Sequence, residues 1–391
     1  MKTVGIICEC NPLHGGHQYL LTQARASGAD VVVALMSGWF VERGEPAVAD
    51  PFLRAEALLR CGADLVLELP YPYAAAGAEF FADAGVDILA RLGLDELWFG
   101  SECGDLPLLS RMSKITLSKD FEERYSASVG ENGGSAESYF SILQEMAGED
   151  TPILPNDILG ISYLRSICRG DAHLRPVTVR RVGSGYAQTD LTTDTFPSAT
   201  ALRRLWREKG LCEVLPLLPP ECREVYAKAG EPADMEYAAR LILGHFRLTS
   251  ADALSRVAEL GGGLGNRMAE AARNAESLQD FFALAATKKY TDARIRRGVL
   301  FALTGVEPED LRSRPAYTRL LAANARGSRF LATLRGKDTI PVITRHSDLT
   351  PTLQNARQTC LSEQAYRLYT LCLRDPASAT TLWKRSPIFL P

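Results

Sequence analysis

His14 and His17 stand three residues apart in the turn Asn11-Pro12-Leu13-His14-Gly15-Gly16-His17, directly after the apolar run Gly5-Ile6-Ile7-Cys8-Glu9-Cys10. Two imidazoles at this spacing, at the entrance of a helix, can face one way and donate hydrogen bonds to phosphate oxygens. Such donors stabilise the charge that builds on a phosphorus under attack and on a departing pyrophosphate. Gly15 and Gly16 let the backbone approach a triphosphate closely. The helix behind the turn aims its first N–H groups at an anion in the same place. Taken alone, two histidines three apart are also half a metal site, or merely cap a turn. The preceding strand and the Asn-Pro step favour the phosphate reading.

Four further segments carry chemistry. Met36-Ser37-Gly38-Trp39-Phe40-Val41-Glu42-Arg43-Gly44-Glu45-Pro46 follows a second apolar run and suits a substrate loop, or an ordinary surface loop. Phe99-Gly100-Ser101-Glu102 ends a later strand, where a bare glycine lets a flat base lie against the backbone or simply makes a turn. Arg180-Arg181-Val182-Gly183-Ser184-Gly185-Tyr186 brings an arginine within reach of phosphates. Ser198-Ala199-Thr200-Ala201-Leu202-Arg203 opens another helix with two hydroxyls and an arginine; a plain N-cap is the alternative.

These segments need a rigid frame. Val4–Cys10, Val31–Met36, Asp64–Leu69 and Glu96–Phe99 read as short buried strands. Gly16–Ala26, Phe52–Arg60 and Ala76–Arg91 read as the helices between them. That alternation predicts an α/β fold, a doubly wound parallel sheet with a Rossmann-like arrangement, followed by a mainly helical C-terminal region. Helices are expected within Ser113–Ala147, with a loop at Gly130–Gly134, and over Ile158–Ile167 and Ala201–Glu208. Strands are expected at Pro176–Val182 and Thr339–Ile343, and a last helix at Glu363–Leu373. The expected division is a nucleotide-binding catalytic domain over 1–210, a helical part over 211–335 and a small subdomain over 336–391.

Composition narrows the class. The chain has 391 residues, 46% hydrophobic and 23% charged, as a soluble globular protein does. No apolar run approaches the roughly 18 residues that span a bilayer, so no membrane partner is expected. Nothing at the N-terminus reads as a secretory signal, and the nine cysteines include no CxxC pair. Cytoplasm is the expected compartment, and no residues are assigned to a protein-bound metal. Net charge is only −3, yet Lys288-Lys289-Tyr290-Thr291-Asp292-Ala293-Arg294-Ile295-Arg296-Arg297 is a local basic cluster, and Arg312, Arg314, Arg319, Arg326, Arg329, Arg335 and Lys337 continue it. A bland total can hide a basic face.

Taken in order, GIICECNPLHGGH, MSGWFVERGEPAVAD, RAEALLRCGADLVLELP, FGSECGD, NDILGISYL, RRVGSGY, SATALR, TKKYTDARIRR and RPAYTRLLAANARG resemble the blocks of the bacterial tRNA(Met) cytidine acetate ligase family, nucleotidyltransferases with an HxGH motif. The resemblance spans nearly the whole chain. It implies an enzyme that forms acetyl-adenylate from ATP and acetate, with Mg2+, and acetylates N4 of the wobble cytidine of elongator tRNA(Met). It implies that Ile7, Cys8, Glu9, Cys10, Asn11, Pro12, Leu13, His14, Gly15, Gly16, His17, Gln18, Tyr19 and Leu20 line the ATP site, with His14 and His17 catalytic at the phosphates. Gly100, Asn156, Arg181, Val182, Ser198 and Thr200 would contact ATP as well, and Lys289, Arg294 and Arg297 the tRNA backbone. The chain departs from the family at Leu13, Gly15, Trp39 and Glu42, where phenylalanine, asparagine, asparagine and glutamine are expected; the last two fall in the loop that shapes the acceptor pocket. A small-molecule adenylyltransferase and a non-catalytic ATP- and RNA-binding relative are the other classes, and oligomeric state is left open.

Overall fold

The computed structural model describes residues 1–132, 136–148, 153–170, 172–181, 196–349 and 351–391. Strands β1 (Thr3–Cys8), β2 (Val31–Ser37), β3 (Leu65–Leu69), β4 (Glu96–Ser101) and β5 (Arg175–Arg180) lie in the order β5-β4-β1-β2-β3, all parallel. Alternate residues feed two separate cores. Val4, Ile6, Val32 and Ala34 pack on one face with Leu21 and Leu58. Ile7, Val31, Val33 and Leu35 pack on the other with Leu89 and Tyr163. A strand buried on both faces has no polar side to show, which is why these segments read as unbroken apolar runs.

The covering helices in this half are α1 (Gly15–Ala26), α2 (Pro51–Arg60), α3 (Ala78–Arg91), α4 (Leu106–Ile115), α5 (Lys119–Asn132), α6 (Ala136–Ala147), α7 (Pro155–Gly170) and α8 (Ala199–Lys209). Helix α5 continues through Gly130, where the sequence suggests a loop; residues 133 and 134 of that expected loop lie outside the described residues.

The second half of the chain returns to the same sheet. Strand β6 (Thr318–Ala323) runs antiparallel to β3, and β7 (Val342–Ile343) and β8 (Ile388–Phe389) pair with β6. The sheet therefore draws on all three segments, 1–210, 211–335 and 336–391. The strand expected over 339–343 narrows to two residues, since Pro341 has no N–H to give to a ladder. Asp64 ties the halves together: its carboxylate accepts from Val32 N–H (2.8 Å) and Asn324 Nδ2 (2.9 Å) and pairs with Arg25. Apolar side chains from the helices of residues 211–312 join the core that holds α1 and α2. Among the described residues no helix is long and apolar enough to cross a membrane.

The upper edge of the sheet is held by one side chain. Arg54 of α2 is fully buried. Its Nε donates to Ala49 O (3.0 Å), Nη1 to Glu9 O (2.7 Å), and Nη2 to Ser37 O (3.0 Å) and Gly38 O. These carbonyls lie where β1 and β2 end and where the chain enters α2, so one guanidinium donates to four backbone oxygens at that edge. Arg54→Leu leaves them unpaired. At about 1–3 kcal/mol for each unsatisfied buried group, the variant should lose at least about 3 kcal/mol. Urea unfolding is the measurement, and an unchanged midpoint would show that the guanidinium is dispensable.

Candidate active site

From β3 the chain crosses back to place β4 on the far side of β1. The carboxyl ends of β1 and β4 thus border the crevice where the strand order reverses, the place ligands occupy in open α/β sheets. A cavity of about 740 Å³ opens there, walled by the ends of β1, β4 and β5 and the starts of α1, α7 and α8. Of the residues expected at ATP, it is lined by Ile7, Cys8, Glu9, Cys10, Asn11, His14, Gly16, His17, Tyr19, Leu20, Gly100, Asn156, Arg181, Ser198 and Thr200. Leu13 faces the core instead, and Gln18 turns outward to Glu221 (2.8 Å). Pro12 and Gly15 do not line the cavity either; a Cβ on Gly15 would meet the Phe196 ring at 2.2 Å, so the absent side chain makes room for that ring. Val182 lies outside the described residues.

The turn is held from three directions. Asn11 Oδ1 accepts from Val48 N–H (2.8 Å), Asn11 O accepts from Arg203 Nη1 (2.8 Å), and Leu13 N–H donates to the Tyr226 hydroxyl (2.9 Å). Cys10, entering the turn, takes a left-handed φ of 47°, a conformation unusual for a side chain with a Cβ.

The two histidines form a capping box at the start of α1. His14 Nδ1 accepts from Gly16 N–H (3.0 Å), and His17 Nδ1 accepts from His14 N–H (3.3 Å). In a neutral imidazole one nitrogen accepts and the other carries the proton. With both Nδ1 atoms accepting, each Nε2 carries the hydrogen and is left to donate to a ligand. Burial, with the cationic Arg181 nearby, holds His17 down at about 3, and burial beside His17 pushes His14 well below the usual histidine range. Both rings are therefore neutral and can donate from Nε2.

On the β4 side, Glu102 and Asp157 lock strand end to helix start. Glu102 accepts from Asp157 N–H (3.0 Å) and Asn156 Nδ2 (2.6 Å), while Asp157 accepts from Glu102 N–H (2.9 Å). Asn156 Oδ1 is then free to receive Arg181 Nη1 (3.3 Å). A Cβ on Gly100 would meet Arg181 Cγ at 3.3 Å, so bare backbone lies under that arginine. Ser198 caps α8 through Ala201 N–H (3.1 Å), and Thr200 receives Arg203 Nη2 (3.2 Å).

On the β2 side the wall is acidic. Glu9 Oε1 accepts from Glu42 N–H (2.8 Å), and both carboxyls line the cavity. Tyr163 of α7 lines it too; the spacing Pro155, Leu159, Tyr163 along one helix face is the signal that marks it in the sequence. The basic block divides. Arg297 is buried and pairs with Glu259 (2.9 Å) and Glu42 (3.4 Å), so it belongs to the interior and not to an exposed cationic face. Arg319 is likewise interior, donating to Leu382 O (2.8 Å) and lying over the Phe52 ring. Arg294 stacks over Tyr290 and reaches Glu259; Lys289 lies over the same ring. Spacing could not show this, because a buried arginine and a surface one share one letter.

Burial lifts Glu42 from 4.5 to about 7, Glu9 adding to the rise and Arg297 opposing it. A carboxyl raised by folding stabilises fully below about pH 4.5, and that contribution is lost as pH rises through 7. For His17, lowered from 6.5 to about 3, the contribution is complete above pH 6.5 and is lost as pH falls toward 3. Glu42→Gln should therefore unfold later than the unchanged protein at pH 8, by about 1–2 kcal/mol after allowance for partial solvation. The gain should shrink toward pH 5 in urea titrations, and a difference that is flat with pH would sink this account.

The model of the family HIGH Nucleotidyl Transferase matches residues 1–381. The tRNA(Met) cytidine acetate ligase of Syntrophotalea carbinolica is 35% identical over 89% of this chain and 85% of its own. That of Caldicellulosiruptor saccharolyticus is 33% identical over 100% of this chain and 99% of its own. Among solved structures, Thermotoga maritima TmcAL in its apo form I aligns with a TM-score of 0.91 at 31% identity, and the same protein bound with alpha-thio ATP with 0.89 at 30%; each covers 100% of both chains. A crevice built around paired neutral histidines, on a sheet matched from end to end, places this chain among the HIGH nucleotidyl transferases, in the tRNA(Met) cytidine acetate ligase family.

Proposed function

We propose that the protein joins acetate to AMP at the expense of ATP, then passes the acetyl group to N4 of the wobble cytidine, position 34, of elongator tRNA(Met). The observation that carries this reading is the pair of neutral Nε2–H donors at the start of α1, in a crevice whose far wall offers a bare glycine backbone and Arg181. Adenine fits against Gly100 and Asn156. The triphosphate runs toward His14, His17 and the hydroxyl-bearing start of α8.

Acetate attacks the α-phosphorus, an O–P bond forms as the bond to pyrophosphate breaks, and acetyl-adenylate results. The histidines hydrogen-bond the phosphate oxygens as charge moves to the leaving group. Neutral donors suit this task, because they bind the triphosphate without taking a proton from solution. Among the described residues no group of three His, Cys, Asp or Glu side chains converges as a metal site. Mg2+ would come with the substrate's phosphates, which together with water and one or two carboxylates ordinarily hold that ion. The cytidine amine is a weak nucleophile, so activation of acetate as a mixed anhydride makes its transfer feasible. A wobble base lies in a loop, where it can be splayed out and inserted into a pocket. Lys289 and Arg294, beside Tyr290, remain our candidates for the RNA backbone, and the cytoplasm the expected compartment.

Incubation with ATP, labelled acetate and elongator tRNA(Met) should place label on one cytidine, read by mass spectrometry of the nucleosides. Label that stops at adenylate with every tRNA would point to a small-molecule adenylyltransferase. His14→Ala and His17→Ala should each slow acetate-dependent ATP–pyrophosphate exchange about 100-fold or more. An unchanged exchange rate would remove that histidine from the mechanism.

A further inference from the structure

The ladder between β1 and β4 is short. It joins Val4 to Glu96 and Gly5 to Leu97 and stops there. By contrast, β1 stays paired with β2 as far as Cys8, and β4 with β5 as far as Ser101. Continued in register, the short ladder would set Ile7 opposite Phe99. The two strands part instead, and both residues line the cavity from one face of the sheet. A slot therefore runs down from the crevice, between the strand that leads to the histidines and the strand that carries Gly100.

Helix α7 closes that slot. Asn156, Leu159 and Tyr163 line the cavity along one face of the helix, and Tyr163 lies about 10 Å further along the axis than Asn156. The helix packs tightly on β4, since a Cβ on Gly160 would lie 2.7 Å from Phe99 Cε2. The Tyr163 ring rests on Phe99 with centroids 5.7 Å apart, and Phe81 of α3 lines the same cavity. Helix side chains lean toward the helix N-terminus, so the Tyr163 ring slants up toward the crevice. Tyr163 is 2% exposed, and its hydroxyl has no hydrogen-bond partner among the described residues. Buried hydroxyls are ordinarily paired, so an unpaired one on a cavity wall marks a place that a ligand atom fills. Burial pushes the phenol well up, so the hydroxyl keeps its proton and donates.

We infer that this slot is the acetate subsite: the methyl group lies against Ile7, Phe81, Phe99 and Leu159, and the Tyr163 hydroxyl donates to one carboxylate oxygen. The placement rests on the adenylation reading above. The walls select the occupant. A short carboxylate has one apolar end and one end that only accepts hydrogen bonds, which matches an apolar recess holding a single donor. A nucleobase edge mixes donors with acceptors, and one hydroxyl cannot satisfy it. The second carboxylate oxygen faces up into the crevice, where His14, His17 and Arg181 line the wall. That oxygen bonds to the α-phosphorus as the bond to pyrophosphate breaks, while Tyr163 holds its twin and moves no proton. In the acetyl-adenylate the held atom is the carbonyl oxygen. Length selection follows, because each added methylene must displace side chains of a packed core.

Acetate-dependent ATP–pyrophosphate exchange reads this subsite without tRNA. Tyr163→Phe should raise the KM for acetate about tenfold or more and leave the KM for ATP within about twofold. The unchanged protein should prefer acetate to propionate about tenfold or more in kcat/KM, and Leu159→Ala should cut that preference about tenfold. A rise in the KM for ATP with none for acetate would hand the hydroxyl to the nucleotide and overturn the subsite. So would unchanged constants in Tyr163→Phe, or an unchanged preference in Leu159→Ala. Saturation transfer to the acetate methyl, with α,β-methylene ATP present, separates the subsite from the reaction. A methyl signal that weakens in Tyr163→Phe supports the subsite even if the unchanged protein shows no exchange, an outcome that would remove the adenylation reading alone. No methyl signal in the unchanged protein would overturn the subsite.

Discussion

A single buried guanidinium sets the shape of the catalytic edge. Parallel strands end in carbonyl groups that their neighbours cannot satisfy, and in this fold those ends are where the ligand must sit. Arg54 answers several of them from below, at Glu9, Ser37, Gly38 and Ala49. The loops above can then turn away from the sheet while these four oxygens keep a donor. Both the phosphate turn after β1 and the acidic loop after β2 start from carbonyls that this one side chain holds. The relative position of these two loops is thus tied to α2.

On this platform the electrostatics are divided by side. One part of the cavity wall carries the neutral imidazoles of His14 and His17 with Arg181 and Arg203, whose charges favour anions. Another part carries the carboxyl-bearing Glu9 and Glu42. Arg297, Glu259 and Glu42 bridge the loop after β2 to the Asp292–Thr304 helix. The same cation that looks like an RNA contact in the sequence instead compensates buried acid. A buried charge needs a partner, and Arg297, at 3.4 Å, is one that Glu42 has.

The N-terminal sheet and the histidine turn were legible because their signals are local: apolar runs of strand length, glycines at the turn, and imidazoles at helical spacing. The strand β6 was not, since Thr318-Arg319-Leu320-Leu321-Ala322-Ala323 carries an arginine and two alanines where a strand signal wants alternation or β-branched residues. It becomes a strand because β3 offers an open edge more than 240 residues earlier in the chain, a tertiary override no window can see. Burial of Arg297 and Arg319 was hidden for the same reason. Tyr163 was visible as a member of a helix face, but its unpaired hydroxyl is a fact of packing. The roles of Ser198 and Thr200 were half legible: the cap is confirmed by geometry, and a ligand contact is not part of what a cap signal says.

The antiparallel pairing of β6 with β3 has a consequence for how the chain is made. A ribosome releases β1 to β5 long before residues 318–323 appear, so β3 emerges as an exposed, flat, apolar edge, Leu65-Val66-Leu67-Glu68-Leu69. Such edges recruit other strands when left open. Until the C-terminal portion arrives, the nascent nucleotide-binding half is an aggregation hazard that a holding chaperone would shield. Folding to the finished state is then a late event that closes the two ends of the polypeptide over one another.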